Sequence, residues 1–345
     1  MKNFEKIRKI LKKKKYNWVI TGVAGFIGSN LLETLLKLDQ KVIGADSLIT
    51  GTTKNFKYIK KNVTKNQWKN FRFIKGDLKE YSFCKKICKS ADFVLHQAAL
   101  GSVPRSIVNP LDTNENNVNT FINIIFASMN SKVKNFVYAS SSSVYGDNKK
   151  IPKVENNIGN QLSTYALTKY INELYSKVFH INYNFNSIGL RYFNVFGKYQ
   201  NSTSNYAAVI PLWINKILDG KKVIIYGDGK TSRDFCFVEN VVQANLLAAL
   251  NTNKKIQNQV FNIALNSKIS LNKLFVSIKK IINKSNCNYK LKPIYKNFRK
   301  GDIRHSLADI SKARRNLLYK PEYEFYDGLK ITINWYKKLL NAKNS

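Results

Sequence analysis

A tyrosine and a lysine four residues apart, Tyr165 and Lys169, are the side chains of this sequence best suited to chemistry. On a helix, this spacing places both side chains on one face, a single turn apart. A free phenol titrates near pH ~10 and is a poor base at neutral pH, but a neighbouring ammonium stabilises the phenolate and lowers that pKa. The pair therefore predicts proton exchange with a substrate hydroxyl, with Tyr165 as the base.

A run of four serines, residues 140–143, lies upstream of this pair and ends a strand-like stretch at 136–139. A hydroxyl at that position can hydrogen-bond the reacting oxygen, and we assign this role to Ser141. A Tyr/Lys pair is structural in most proteins. The serine-tipped strand and the glycine loop described next favour a catalytic role here.

Three glycines, Gly22, Gly25 and Gly28, follow a strand-like stretch and open a helical one. Such glycines permit a tight turn and let backbone N–H groups approach a pyrophosphate, which the start of the helix attracts. Asp46 lies 18 residues beyond Gly28, at the end of the next strand, where a carboxylate accepts hydrogen bonds from an adenosine ribose. No Arg or Lys follows Asp46 until Lys54, so nothing obvious neutralises a 2′-phosphate. The loop predicts binding of NAD rather than NADP.

Two further strand ends supply candidate cofactor contacts. Asp77 and Leu78 follow the third strand-like stretch and are placed to border the adenine. Gln97, Ala98 and Ala99 follow the fourth, with small side chains where a cofactor has to lie against the backbone. Since ligands of such folds bind at the carboxyl ends of the strands, we expect these residues to meet the glycine loop.

Strand-like and helix-like stretches alternate through the first 190 residues, which is typical of βαβ units and a parallel sheet covered on both faces. We predict an α/β fold with a doubly wound parallel sheet of the Rossmann type and a smaller, mixed α/β substrate lobe at the C-terminus. The strands are expected at 18–21, 42–45, 71–74, 93–96, 136–139 and 187–190, and the main helices at 27–38, 116–129 and 165–180. The expected units are a basic helix at 1–16, an NAD-binding domain at 17–194 and a lobe at 195–345, from which helix 238–250 could return to the large domain.

The charge balance is unusual, because 58 Lys and Arg against 21 Asp and Glu give a net charge of +37. Such a surplus could suit nucleic acid, an anionic membrane surface or phosphorylated substrates. The lysines recur almost uniformly along the chain, apart from the run at 12–15, whereas a dedicated nucleic-acid patch would cluster. We therefore expect no dedicated nucleic-acid partner.

Four cysteines, Cys84, Cys88, Cys236 and Cys287, form no Cys-x-x-Cys pair or Cys/His cluster, so we expect no metal site. Thiols without a disulfide framework fit a reducing compartment. No apolar run approaches the roughly 18 residues of a spanning helix, and residues 1–15 lack the apolar core of a secretion signal. We expect a cytoplasmic protein without a membrane span, whose N-terminal helix docks through an apolar stripe at Phe4, Ile7, Ile10 and Leu11.

Taken together, the motifs resemble those of the extended short-chain dehydrogenase/reductases (the NAD-dependent epimerase/dehydratase family), and within them the nucleotide-sugar 4-epimerases. The motifs that carry this resemblance are residues 22–28, Asp46, Ser141 with 144–146, Tyr165 with Lys169, and 190–194. Residues 97–106, 231–236 and 301–309 are similar to the UDP-N-acetylglucosamine 4-epimerases of surface-polysaccharide synthesis. The resemblance spans nearly all of residues 17–335.

The resemblance implies a role for each matching residue. Tyr165 is the base, Lys169 holds the nicotinamide ribose and Ser141 bridges the sugar hydroxyl. Arg233 and Arg299 clamp the UDP diphosphate, since a planar guanidinium suits two phosphate oxygens. The implied cofactor contacts are Gly22, Gly25, Phe26, Ile27, Gly28, Asp46, Ser47, Gly51, Asp77, Leu78, Gln97, Ala98, Ala99, Asn116, Tyr165, Lys169 and Tyr192. The implied substrate contacts are Gly101, Ser102, Ser141, Ser142, Asn194, Gln200, Ala208, Val209, Tyr226, Arg233, Arg299, Asp302 and Ser306.

The resemblance also implies the reaction and the substrate. In this family, a tyrosine at the position of Ser306 narrows the sugar pocket to plain hexoses, whereas the small Ser306 leaves room for a 2-acetamido group. The expected activity is reversible 4-epimerisation of UDP-GlcNAc and UDP-GalNAc through a 4-keto sugar, for polysaccharide or glycan precursors, with poorer use of UDP-glucose. Relatives often pair through two helices into a four-helix interface, which implies a homodimer.

Two other functions stay open from the sequence. A 4,6-dehydratase or decarboxylase of the same superfamily is the nearest rival, but dehydratases carry Asp-Glu directly after the catalytic hydroxyl, where this chain has Ser142 and Ser143. A basic nucleic-acid-binding protein with a vestigial NAD site is the alternative from another class. It is disfavoured because no nucleic-acid-binding motif is present and the residues for catalysis are.

Overall fold

The centre of the chain is a parallel sheet, as shown by a computed structural model that describes residues 3–203, 206–284, 288–298 and 303–344. Within these residues the strands, in chain order, are β1 (Asn17–Thr21), β2 (Lys41–Asp46), β3 (Phe71–Lys75), β4 (Phe93–His96), β5 (Asn135–Ser141), β6 (Ser187–Tyr192), β7 (Val195–Phe196), β8 (Ile224–Tyr226), β9 (Ser232–Arg233), β10 (Cys236–Phe237), β11 (Gln259–Ile263), β12 (Ile269–Ser270) and β13 (Ile294–Lys296). Seven of the strands form the main sheet in the order β11-β6-β5-β4-β1-β2-β3, all parallel.

The helices of the described residues are α1 (Asn3–Lys13), α2 (Phe26–Lys37), α3 (Lys54–Asn62), α4 (Lys65–Trp68), α5 (Tyr81–Cys88), α6 (Val103–Val108), α7 (Pro110–Asn114), α8 (Thr120–Asn130), α9 (Thr164–Tyr183), α10 (Val209–Leu218), α11 (Val238–Ala249), α12 (Leu271–Asn283), α13 (Ser311–Asn316) and α14 (Phe325–Asn344). A π-helical turn (Glu115–Asn119) interrupts the helix predicted at 116–129, and 3₁₀ turns occupy Ser142–Tyr145 and Lys254–Ile256. None of these helices is both long enough and apolar enough to cross a membrane.

Helices cover both faces of the main sheet. One face packs against α1, α2 and α11, and the other packs against α5, α8 and α9. This burial explains why strands such as β4 and β6 are buried along their whole length and read as apolar runs rather than as alternating patterns. The predicted doubly wound parallel sheet is confirmed, with its change of direction between β1 and β4.

A second, smaller hydrophobic core lies beyond the carboxyl edge of the sheet. Its buried side chains come from α10, α12, α14 and β8, and they include Ile214, Ile217, Ile225, Leu274 and Ile278. The short pairs β8 with β13 and β9 with β12 belong to this lobe. In contrast, α11 packs against α2, and β11 pairs with β6, so the chain returns to the main sheet after residue 237.

The N-terminal helix α1 is part of the main core. Phe4 and Leu11 are 3% and 0% exposed, and the Leu11 carbonyl accepts a hydrogen bond from Gln40 Nε2 at 2.6 Å. Arg8 forms an ion pair with Glu322 at 3.0 Å. Ile10, by comparison, is 47% exposed and lies outside the buried stripe. The helix therefore docks on its own chain through Phe4 and Leu11.

We expect Leu11→Ala to lower the free energy of unfolding by about 2–5 kcal/mol, because it removes fully buried methyl groups and leaves a cavity. The matched control is Ile10→Ala, which changes an exposed side chain of the same helix and should shift stability by no more than about 0.5 kcal/mol. Urea titration followed by circular dichroism measures both. Equal losses in the two variants would show that α1 does not dock as described.

Candidate active site

The ends of neighbouring strands bring the predicted site residues to one edge of the sheet. Thr21 at the end of β1 pairs with His96 at the end of β4, and β4 in turn pairs with β5, which ends at Ser141. The glycine loop, the 97–101 loop and the serine turn consequently follow one another along this edge. This is the carboxyl edge, where folds of this type bind their ligands.

Tyr165 and Lys169 lie in the first two turns of α9, as their spacing predicts. Ser163 caps this helix by accepting a hydrogen bond from Ala166 N at 3.1 Å. Lys169 is only 2% exposed, and its Nζ donates to the Ala139 carbonyl of β5 at 2.8 Å. Tyr165 is half-buried. The ammonium is thus tied to the same strand that carries Ser141 at its end.

The Ser141 hydroxyl has a defined donor direction. Its oxygen accepts hydrogen bonds from Ser143 N at 3.1 Å and from Ser143 Oγ at 2.9 Å. With its acceptor capacity used in this way, Ser141 can turn its own O–H outward, towards the Tyr165 hydroxyl with which it interacts. A reacting oxygen placed between Ser141 and Tyr165 would therefore meet two hydroxyl groups.

Burial dominates the titration of this pair. It raises the pKa of Tyr165, while the Ser141 hydroxyl opposes that rise, and it lowers the pKa of Lys169 from an ordinary 10.5 to about 8. The expectation that Lys169 makes the phenol acidic is therefore corrected. The surrounding side chains alone do not lower the pKa of Tyr165, because the cost of desolvating the phenolate exceeds their stabilising effect.

A buried ion pair fixes α9 against the sheet. Arg191 of β6 donates to both carboxylate oxygens of Glu173, at 2.9 and 2.7 Å, and Ser140 donates to the same carboxylate at 2.5 Å. Glu173 lies one turn beyond Lys169, so these bonds set the height and rotation of the catalytic helix. Burial of such a pair is tolerated only when its hydrogen bonds are satisfied, as they are here.

Asn117, in the π-helical turn, joins the cofactor side of the site to α9. Its amide accepts from Leu100 N at 2.7 Å and donates to Thr168 Oγ1 at 3.1 Å. The predicted contact Asn116 instead donates to the Asp112 carbonyl of its own helical segment at 2.8 Å. Asn117 is fully buried, and no spacing rule distinguishes it from its neighbour.

The glycine loop adopts a backbone that only glycine permits at two positions. Gly22 has φ +67°, and a Cβ on it would lie 2.8 Å from Ala98 N. A Cβ on Gly28 would lie 2.1 Å from the Gly22 carbonyl oxygen, so the helix could not start this close to the turn with any other residue. Gly25 is the N-cap of α2 and provides no side-chain cap, which leaves the N–H groups of Phe26 and Ile27 available to an anion.

Asp46 ends β2 beside this loop. Its two oxygens accept hydrogen bonds from Ala24 N at 2.9 Å and Leu48 N at 2.8 Å, while burial raises its pKa overall. A carboxylate has about four acceptor positions, so two remain for ribose hydroxyls. Gly51 lies directly over this carboxylate, since a Cβ there would be 2.9 Å from it. Ser47 follows Asp46 and is half-buried.

Three side chains hold the 97–101 loop in place. Gln97 donates to Asn245 at 3.1 Å, Asn245 donates to the Tyr192 hydroxyl at 2.9 Å, and that hydroxyl donates to Gln97 Oε1 at 3.1 Å. Asn245 comes from α11, far along the chain, and was not predicted. Ala98 and Ala99 are partly exposed beside this closed triangle, so the loop presents small side chains on a rigid support.

The remaining cofactor candidates lie on the adjoining part of the same edge. Asp77 follows β3 and accepts from Lys79 N at 2.9 Å, and Leu78 is 6% exposed. His96 is hydrogen-bonded to Thr21 at 2.8 Å, and burial, assisted by the charge of Lys169, lowers its pKa to about 3. His96 therefore stays neutral. These residues fit a dinucleotide with an adenosine ribose at Asp46 and a pyrophosphate at α2.

The lobe beyond the sheet edge encloses a cavity of about 270 Å³ next to β8 and α10. Most of its walls are apolar, with polar groups from three elements. It is lined by Asn194, Ala207, Val209, Leu212, Trp213, Lys216, Ile224, Tyr226, Thr231, Arg233 and Leu271. Four of these residues (Asn194, Val209, Tyr226 and Arg233) were predicted as substrate contacts.

Arg233 is oriented by backbone carbonyls. Its Nη1 donates to the Ser232 carbonyl at 3.0 Å and is 3.4 Å from the Arg304 carbonyl. Ser306 lies beside it, because Ser306 N donates to the Ser232 carbonyl at 3.1 Å. The small Ser306 side chain is thus one strand away from the cation. The other two members of this predicted group, Arg299 and Asp302, lie outside the described residues.

The other predicted sugar-pocket residues have these positions. Ser102 caps α6 by accepting from Arg105 N at 3.2 Å, and a Cβ on Gly101 would meet no atom within 4 Å. Ala208 is the N-cap of α10, and Ser142 starts the 3₁₀ turn after Ser141. Gln200 donates to the Val195 carbonyl at 3.3 Å. Among the cavity residues, Leu212, Trp213, Lys216, Ile224 and Leu271 were not predicted; α10 carries three of them at helical spacing, a signal that the sequence does contain.

Comparison with known families places this geometry. The model of the NAD dependent epimerase/dehydratase family matches residues 18–264, which include the glycine loop, the catalytic pair and β11. The chain belongs to this family. It is therefore an enzyme of an NAD-dependent class of sugar-nucleotide epimerases and dehydratases, and NAD is its cofactor.

Individual relatives of this epimerase/dehydratase cover nearly the whole chain. A putative UDP-glucose 4-epimerase of Methanocaldococcus jannaschii is 35% identical over 92% of this chain and 98% of its own length. A UDP-glucuronate 4-epimerase of Thermodesulfobacterium geofontis is 32% identical over 93% and 96%. The solved structure of a UDP-N-acetylglucosamine 4-epimerase from Methanobrevibacter ruminantium M1, in complex with UDP-N-acetylmuramic acid, is 39% identical with a TM-score of 0.85, covering 94% of this chain and 99% of that one.

We expect Lys169→Met to reduce turnover at least about a hundredfold without lowering the free energy of unfolding at pH 7. The reason is that Lys169 has a pKa of about 8 when folded and an ordinary pKa of 10.5, so burying its charge costs stability below pH 8. Between pH 8 and 10.5 the unfolded chain holds the additional proton, and the wild type should gain stability with pH relative to the variant. Denaturant titrations across this range measure the difference, with the exposed Lys41→Met as control; a variant less stable at pH 7 than at pH 10, relative to wild type, would contradict this account.

Proposed function

We propose that this epimerase/dehydratase interconverts UDP-GlcNAc and UDP-GalNAc by oxidising and reducing C4 of the sugar. The observation that carries this proposal is the pairing of two sites at one sheet edge. One holds Tyr165, Lys169 and Ser141, and the other is the cavity with Arg233. The first suits removal of a proton from a sugar hydroxyl, and the second suits a nucleoside diphosphate.

Each catalytic side chain has one task in this reaction. Tyr165 accepts the proton of the sugar 4-hydroxyl at its phenolic oxygen and later returns it. Ser141 donates a hydrogen bond to the same sugar oxygen. Lys169, tied to Ala139 at 2.8 Å, directs its remaining N–H groups to the cofactor ribose and to the phenolate. Bound NAD supplies the hydride acceptor and a positive charge close to Tyr165.

Inversion at C4 requires the ring of the 4-keto sugar to present its opposite face. The nucleotide therefore has to be held firmly while the sugar is held loosely. The arrangement of the lobe supports this division, because Arg233, Asn194 and the apolar walls belong to the cavity. On the sugar side, Gly101 leaves open space around its Cα, and the predicted wall residues Ser142 and Ser306 are small.

The size of Ser306 supports an acetylated sugar. A serine adjoining the Arg233 strand leaves the volume that a larger side chain would occupy, which accommodates a 2-acetamido group. The solved Methanobrevibacter ruminantium relative is a UDP-N-acetylglucosamine 4-epimerase and has the same overall fold at 39% identity. Other relatives are named for UDP-glucose and UDP-glucuronate, so these sugars are the substrates to compare.

Water elimination is disfavoured by the residues that follow Ser141. A 4,6-dehydratase requires an acid and a base near C5 and C6 of the sugar. Here Ser142 starts a 3₁₀ turn, and Ser143 donates both its N–H and its hydroxyl to Ser141. Neither side chain can supply a carboxylic acid. Epimerisation needs no such group.

The test is a chromatographic product assay on the purified enzyme supplied with UDP-GlcNAc. UDP-GalNAc should form without net NADH, and Tyr165→Phe should abolish its formation while NAD stays bound. A 4-keto-6-deoxy product would replace this proposal by dehydration. Turnover confined to UDP-glucuronate or UDP-glucose would refute the proposed acetylated substrate.

We expect Ser306→Tyr to lower kcat/KM for UDP-GlcNAc at least about tenfold while changing that for UDP-glucose by less than about threefold. The added ring fills the space of the acetamido group, and a steric clash of this kind costs on the order of 1–3 kcal/mol. Steady-state kinetics with both sugars measure the ratio. Ser306→Ala is the control and should leave the ratio unchanged; a parallel loss for both sugars in Ser306→Tyr would show that the side chain does not face the 2-position.

We also propose that the enzyme is a homodimer, paired through α9. Four apolar side chains on this helix are 45–68% exposed, and helical spacing places them along one stripe: Leu167, Leu174, Val178 and Ile181. Exposed apolar residues of α6 and α7 adjoin it, with Ile107, Val108 and Leu111 at 65–77%. Such a contiguous patch in a chain this rich in lysine favours burial against a second copy, since one stripe can pair with itself about a two-fold axis.

We expect Leu174→Glu to shift the protein from dimer to monomer, because a carboxylate would be buried in an apolar interface. Sedimentation velocity gives the mass of each species. Asn182→Glu, which adds the same charge at an exposed position near the end of α9, should remain dimeric. An unchanged mass for Leu174→Glu, or a monomeric wild type, would rule out pairing through this stripe.

A further inference from the structure

The cavity beside α10 contains a cation that no sequence motif predicts. Val209, Leu212 and Lys216 recur at intervals of three and four residues, so α10 presents all three on the face that lines the cavity. Lys216 is half-buried, and Arg233 lines the same space from β9. The lining contains no carboxylate.

Within the described residues, the Lys216 ammonium forms neither an ion pair nor a hydrogen bond. Lysines elsewhere in the chain do find carboxylates, as Lys198 does with Glu33 at 2.8 Å. A half-buried ammonium that lines a cavity has three donors and no acceptor. Satisfying them requires water or an oxygen-rich ligand, and the apolar walls leave the bound ligand as the better partner.

The position along α10 indicates which part of the ligand Lys216 meets. The helix starts at Val209 without a side-chain cap, so its first N–H groups, together with Arg233, suit the diphosphate. Lys216 lies seven residues further on, about 10 Å along the helix axis. A ribose spans a gap of this kind between a diphosphate and its base. The side chains around Lys216, which include Trp213, Ile224 and Leu271, suit a flat ring.

We propose that Lys216 is a specificity-determining residue that donates a hydrogen bond to the 4-carbonyl oxygen of uracil. Cytosine carries an amino donor at the same position, where a carbonyl acceptor stands in uracil. Two donors facing each other cannot bond, so Lys216 selects uridine over cytidine nucleotides. This inference rests on the proposed function, because it takes the cavity to be the nucleotide site.

The experiment compares the binding of UDP and CDP by isothermal titration calorimetry, using the purified NAD-bound enzyme. We expect the wild type to prefer UDP, and Lys216→Met to weaken UDP binding by about tenfold or more with little change for CDP. Lys216→Arg keeps a donor at this position and should retain most of the preference. Lys222→Met, an exposed lysine just before β8, is the matched control and should behave as wild type.

The outcomes separate this inference from the proposed function. Equal weakening of UDP and CDP in Lys216→Met would place the ammonium at the phosphates or ribose and overturn the assignment. Unchanged UDP affinity, with an unfolding midpoint equal to that of wild type, would also overturn it. A wild type that binds neither nucleotide would refute the proposed function itself. Only a loss specific to UDP, restored by Lys216→Arg, supports Lys216 as the residue that recognises uracil.

Discussion

The burial of the Lys169 ammonium is the constraint on which the architecture of the site depends. An ammonium only 2% exposed requires oxygen acceptors, and in this chain a main-chain carbonyl of β5 provides one at 2.8 Å. That bond fixes α9 to the strand that ends in Ser141. The Glu173–Arg191 pair, one turn further along, prevents the helix from sliding or rotating. The distance between the phenol of Tyr165 and the serine hydroxyl is therefore set by the core of the sheet rather than by a surface loop.

The two halves of the site solve opposite problems. On the cofactor side, glycines that tolerate no Cβ and the hydrogen-bonded triangle of Gln97, Tyr192 and Asn245 make a rigid surface. On the sugar side, small residues leave space, and firm contacts are confined to the nucleotide cavity with Arg233 and Lys216. A reaction that turns an intermediate over between two hydride transfers needs this combination, because a rigid cofactor defines one face while the sugar exchanges the other. The large positive charge adds a general attraction for anionic nucleotide sugars, which acts on association rather than on chemistry.

The predicted strands agree with the structure to within a few residues, because buried parallel strands are continuous apolar runs bounded by polar loops. The glycine loop and the Tyr165–Lys169 spacing were equally legible, since each depends on neighbours in the sequence. Other features were not. The π-helical turn at Glu115–Asn119 shifts the inward-facing amide to Asn117, and a regular 3.6-residue pattern cannot reveal such a shift. The pKa of Tyr165 was expected to fall and instead rises, because desolvation depends on the packing around the ring.

By itself, the sequence determined the fold class, the binding of a dinucleotide and the identity of the proton-transfer pair, since each is encoded in local spacing and in the apolar periodicity of single elements. Only the tertiary structure decided which distant residues complete the site. Asn245 reaches the 97–101 loop from α11, and Lys216 meets Arg233 across a cavity because α10 packs against the short strands of the lobe. Contacts of this kind join residues that are up to about 150 positions apart in the chain. The free energy of packing the whole core selects them, and no local pattern records it.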